Sequence, residues 1–73
     1  MTYDAYFDEV KDILKNQMRG MSEKDLIEYM KSEEGIIKEQ YEYRKKLFDK
    51  GELTLTELKS SASGPAYSLY MLY

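Results

Sequence analysis

The sequence predicts an all-α fold: a small three-helix bundle with a short fourth helical element and an aromatic C-terminal tail. Two long stretches, Tyr3 to Met18 and Ile36 to Phe48, repeat apolar residues at the helical period. After each comes a glycine where a helix would stop, Gly20 and Gly51. Strand-like alternation occurs once, in Glu52-Leu53-Thr54-Leu55-Thr56-Glu57-Leu58, and a lone strand would have nothing to pair with.

The first helix is expected over Tyr3 to Arg19. Thr2 serves as its N-cap, and Tyr3, Tyr6, Phe7, Val10, Ile13, Leu14, Gln17 and Met18 share one face. Gly20 would close it, with Arg19 set against the negative end of the helix dipole. A short second helix follows Ser22, its N-cap. Met21 and Leu26 have the spacing of a hydrophobic staple, and Leu26, Ile27 and Met30 point inward. Gly35 is read as the break before the third helix, the strongest amphipathic element of the chain. Ile36, Leu47, Gln40, Arg44, Ile37, Phe48 and Tyr41 fall in order across one arc, with Lys38, Glu39, Glu42, Lys45 and Lys46 opposite.

Thr54 followed three residues later by Glu57 has capping-box spacing, which favours a short fourth helix through Ser60 over a strand. Ser60-Ser61-Ala62-Ser63-Gly64-Pro65 reads as a flexible linker. Pro65 is expected at N1 of a last helical turn or two, capped by Ser63. The chain thus divides into a bundle, residues 1–60, and a linker with an aromatic tail, residues 61–73. That tail either folds back on the bundle or is delivered to a partner. The expected core is Phe7, Val10, Leu14, Leu26, Ile27, Met30, Ile37, Tyr41 and Phe48.

The segment Lys46 to Leu58 resembles the short C-terminal (SHOCT) module: a helix, a Lys-Gly turn, an apolar-Thr pair, then an acidic helix. It covers about a fifth of the chain and rests on common capping residues. It departs where Ser60 to Pro65 cut the second helix short, so no family is read from it.

Composition narrows the function. The 73 residues include no cysteine and no histidine, which excludes disulfides, thiolate metal sites and Ser-His or Cys-His nucleophile pairs. No catalytic, cofactor-binding or metal-binding residue is therefore expected, and the protein is read as not an enzyme. The net charge of −3 gives no strong attraction to nucleic acid and is too small for a dedicated DNA mimic. The acidic start MTYDAYFDEV lacks the pattern of a signal peptide, and no apolar run approaches the roughly 20 residues of a membrane span. A cytoplasmic protein is expected, with no membrane and no small-molecule substrate as partner.

Asp4, Asp8 and Asp12 form an acidic stripe, read as a solvated face neutralised by Lys11 and Lys15 rather than as a cation site. Eight tyrosines without tryptophan suit both a small core and an interface. A core this small is close to marginal, which favours a partner that buries more area. The leading expectation is a non-enzymatic protein-interaction module that self-associates, as a dimer or larger homo-oligomer. Tyr67, Leu69, Tyr70, Leu72 and Tyr73 are its expected contact residues. Arg44, central to the apolar arc of the third helix, is a second anchor for a partner's carboxylate. The alternative is a helix-turn-helix-like nucleic-acid-binding regulator, with Ile36 to Phe48 as recognition helix and Lys38, Lys45 and Lys46 facing phosphate.

Overall fold

Five helices make up the computed structural model, which describes residues 1–73: α1 Tyr3–Gln17, α2 Glu23–Ser32, α3 Glu34–Asp49, α4 Leu55–Ser60 and α5 Ser63–Leu72. There is no strand, and the fold is all-α. Local chemistry sets most of the boundaries. The Thr2 hydroxyl accepts from the Ala5 amide at 3.2 Å, and Ser22 accepts from Asp25 at 3.2 Å. Thr54 and Glu57 form a reciprocal capping box, with bonds of 3.1 and 3.0 Å. That pairing makes the alternating Leu-Thr segment a helix.

Gly51 closes α3 in the left-handed region, at φ 77°. Its N–H donates to Phe48 O at 3.0 Å and that of Glu52 donates to Leu47 O at 2.9 Å, the paired bonds of a Schellman motif. The other two expected glycine stops are corrected. Gly20 and Gly35 do not take positive φ. α1 ends earlier, at Gln17, with Met18 turned inward at the cap and the Arg19 Nε donating to the freed Asn16 carbonyl. The break before α3 is at Glu33, and Gly35 lies within the first turn of α3.

α1 is the central element: α5, α2 and α3 all pack against it, and α3 also packs against α5 and α4. The core consists of Tyr6, Val10, Leu14 and Met18 from α1, Leu26 and Met30 from α2, Ile37 from α3, and Leu58, Ala62, Ala66 and Leu69 around α4 and α5. Phe7, Tyr41 and Phe48, expected inside, are partly buried against it. Ile27 is also only partly buried.

The largest correction concerns residues 60–65. They are not a flexible linker: α4 runs through Ser60, Ser61 and Ala62 form a turn, and α5 begins at Ser63. Pro65 sits at N3 rather than N1. Its missing N–H costs nothing there, because the first-turn amides of a helix have no intrahelical acceptor. Ser63 is not a side-chain cap; its hydroxyl donates back to Ser60 O at 3.0 Å. Ala62, Pro65, Ala66 and Leu69 are buried, so α5 is packed on the bundle.

The molecule measures 39 × 20 × 20 Å, with a radius of gyration of 12.1 Å. About 11 Å would be usual for this length. Only 12 of 73 residues are buried, so the elongated body leaves much of its apolar side-chain surface outside.

Candidate functional site

α5 is the one helix of the five with no charged residue: its sequence is SGPAYSLYML. Pro65, Ala66 and Leu69 occupy one side at spacings of three and four and face α1 and α3. The small Ala66 and Pro65 let α5 lie close to its neighbours, and Leu69 fills the core beside them. The opposite side is also apolar. Tyr67 is 61% exposed, Met71 64%, Leu72 62% and Tyr73 73%, with Tyr70 at 46% on the flank. A helix that is apolar all round is normally covered all round. Here one side is covered by the bundle and the other faces solvent.

Of the expected contact residues, Tyr67, Tyr70 and Leu72 are exposed on α5, and Tyr73, at its C-cap, is exposed but stands against the Tyr29 ring of α2, with centroids 5.2 Å apart. Leu69 is not exposed: it is fully buried and belongs to the core. Met71, not anticipated, lies one helical turn beyond Tyr67 on the same ridge. Ala66 and Leu69 were the available signal for it, since fixing them inward places Tyr67 and Met71 outward at the helical period.

Arg44 is elsewhere. It is partly buried on α3, its Nε is wholly covered without a hydrogen-bond partner, and its guanidinium lies 5.4 Å from the centre of the Tyr43 ring. It forms no ion pair, and no hydrogen bond or ring contact joins it to the exposed side chains of α5.

The tyrosines fall into two sets. The Tyr6 hydroxyl is 3.1 Å from Ser61 Oγ. The Ser61 proton is directed at Leu58 O, 2.6 Å away, so Tyr6 is the donor. Tyr3 donates to Glu34 at 2.9 Å, Tyr29 to Leu69 O at 2.6 Å and Tyr41 to Met1 O at 2.8 Å. Burial pushes the Tyr3, Tyr6 and Tyr29 phenols above their usual value. At Tyr3 the bonded and charged Glu34 pushes the same way, whereas Ser61 and Arg44 partly offset the rise at Tyr6. Tyr43, Tyr67, Tyr70 and Tyr73 make no hydrogen bond through their hydroxyls.

The other sequence features resolve into local pairs. Lys11 lies 3.9 Å from Asp8, and Lys11 and Lys15 converge on Glu23 of α2 at 3.3 and 3.7 Å. Lys11 and Lys15 pull the Glu23 carboxyl below its usual value. Acidic side chains are nowhere gathered in the way that would hold a metal ion. In the segment considered for nucleic acid, a single residue, Glu33, separates α2 from α3, where a helix-turn-helix has a turn of three or four residues. Lys38 is paired with Glu34 at 3.8 Å and Lys45 with Asp49 at 2.8 Å.

Compared with known proteins, the chain matches no family model, no curated protein and no solved structure.

Proposed function

We propose that this chain is a non-enzymatic protein-interaction module that self-associates through the exposed side of α5. The observation that supports this reading is an uncharged helix of which only one side is covered. Its five outer side chains are about half to three-quarters exposed. At about 150–250 Å² for a large side chain, they offer on the order of 600 Å² per copy. A standard interface takes about 800 Å² per partner.

A second copy is the occupant these side chains suit. The surface carries no charge to match a charged partner, and a two-fold axis lets one apolar patch cover itself. Tyr67 and Met71, four residues apart, form the kind of ridge that packs between its equivalents on a facing helix. A lipid surface suits it less, since interfacial helices carry lysine and arginine beside their apolar side and α5 has neither. No helix is long and apolar enough to cross a membrane. Arg44 is a secondary anchor: its guanidinium forms no ion pair within the chain, and its terminal N–H groups would donate to a partner's carboxylate. The absence of cysteine and histidine supports a binding role, and a cytoplasmic setting is part of the same reading.

The test is the solution mass of the full chain across a concentration series, beside a variant carrying Tyr67→Glu and Met71→Glu. Removing the whole tail would not serve, because it would also remove Pro65, Ala66 and Leu69 from the core. A dimer for the parent chain and a monomer with unchanged helical signal for the variant is the expected result. A parent chain that stays monomeric into the millimolar range overturns the proposal.

A further inference from the structure

A groove of about 830 Å³ opens where the end of α1 and the start of α2 meet the side of α5. Tyr29 of α2 and Tyr70 and Tyr73 at the end of α5 line it, together with Met18 and Met21. Tyr29 is held in place by its 2.6 Å hydrogen bond to Leu69 O. The Tyr73 ring stands at 75° to it, with centroids 5.2 Å apart, so the two make an aromatic corner. Asp25 and Glu28 also line the groove, and neither forms an ion pair within the chain. Arg19, the one cation in the lining, is tethered through Nε to Asn16 O at 3.3 Å.

We propose that this groove binds an organic cation of the alkylammonium class. Aromatic faces carry negative potential and attract a cation within about 6 Å of the ring centre. They also offer apolar contact to its methyl or methylene groups, as do the two methionines. Asp25 and Glu28 supply the opposite charge that an anion would not tolerate and a neutral ligand would not need. A hard metal ion fits poorly, because it asks for six or more oxygen ligands and the lining offers two carboxylates beside rings and thioethers. The ligand chemistry has two sources, a free small amine or the side chain of a lysine in a peptide. The inference does not rest on self-association: Tyr67 and Met71, the ridge at the centre of that surface, are not part of the groove, although Tyr70 and Tyr73 belong to both.

The experiment is an NMR titration of the full chain with choline, with its uncharged tert-butyl isostere, and with a short peptide bearing trimethyllysine. Choline is expected to shift the Tyr29, Tyr70 and Tyr73 ring signals saturably, with the isostere leaving them in place. Asp25→Asn with Glu28→Gln should weaken binding by more than roughly fivefold, the scale of a single unit charge at contact distance in water, since two charges are removed. Tyr73→Phe should retain the affinity and Tyr73→Leu lose it, because only the first keeps a π face. Tighter binding of the peptide than of choline assigns the site to a lysine side chain; the reverse assigns it to a free amine. The proposal is overturned if the isostere binds as well as choline, if no ring signal moves, or if the Asp25/Glu28 variant binds unchanged. The Tyr67→Glu, Met71→Glu variant should bind choline at least as tightly as the parent chain, because dissociation uncovers Tyr70 and Tyr73, so loss of the dimer and loss of cation binding read out separately.

Discussion

Four of the eight tyrosines anchor the bundle through their hydroxyls, and the other four keep theirs in solvent, although the Tyr73 ring stands against that of Tyr29. Tyr3, Tyr6, Tyr29 and Tyr41 each send a hydroxyl proton to an acceptor far away in sequence, from 31 residues for Tyr3 to 55 for Tyr6. Their rings also meet, Tyr3 with Tyr41 at 5.6 Å and Tyr6 with Tyr41 at 5.3 Å. Tyr43, Tyr67, Tyr70 and Tyr73 are 46% to 73% exposed. The same side chain thus serves two purposes according to whether its polar tip finds a partner. A buried phenol without an acceptor would be costly, whereas an exposed one keeps water at its tip and offers its ring to a neighbour.

The sharpest way to break this comparison is to remove one ring from each set. Tyr6→Ala empties a fully buried position and should cost about 3–5 kcal/mol, as for other large buried rings. That is a large part of the roughly 5–15 kcal/mol that holds a domain together, so the variant should be largely unfolded by circular dichroism. Tyr67→Ala, measured at low concentration, should stay within about 0.5 kcal/mol of the parent in a urea titration. Equal losses for the two variants would erase the distinction.

Alkaline pH tests the same division without mutation. The folded-state phenols of Tyr3, Tyr6 and Tyr29 lie above their usual value, chiefly through burial. The unfolded chain therefore releases these protons first, near pH 10. Their stabilising contribution is complete below that pH and is lost as pH rises through the folded-state values. Thermal midpoints should accordingly be flat up to about pH 10 and fall steeply above it. A midpoint that holds as the phenols ionise would show that the inner hydroxyls are not buried in solution.

What could be read from the sequence alone follows the range of each interaction. The caps at Thr2, Ser22, Thr54 and Gly51 were legible because each bond closes within a few residues. Gly20 and Gly35 misled because glycine only permits positive φ; the turns at Met18 and Glu33 did not call for it. Ser60 to Pro65 looked like a linker by composition, yet Leu58, Ala62, Ala66 and Leu69 continue a helical spacing through it. Small residues make that face weakly hydrophobic in sequence and tightly packed in space. The exposed side of α5 was half legible. Its aromatic character is in the sequence, but burial of Leu69 and exposure of Met71 depend on where α1 and α3 approach. The groove around Tyr29 was not legible, since it joins residues of α2 and α5 some 40 positions apart.

The smallest expected difference comes from deleting single hydroxyls, and it isolates the polar tip from the ring. In Tyr29→Phe the ring and its contact with Tyr73 remain, while the 2.6 Å bond to Leu69 O is lost. Leu69 O still accepts the Tyr73 amide at 3.2 Å, so its carbonyl is not orphaned. The cost should therefore be the net value of one hydrogen bond, about 0.5–1.5 kcal/mol, and not the larger penalty of a buried unsatisfied acceptor. Tyr70→Phe removes a hydroxyl with no partner in the chain and should leave the urea midpoint unchanged. If Tyr70→Phe costs as much as Tyr29→Phe, the outer hydroxyls are engaged after all. The division would then have to be drawn by ring burial alone.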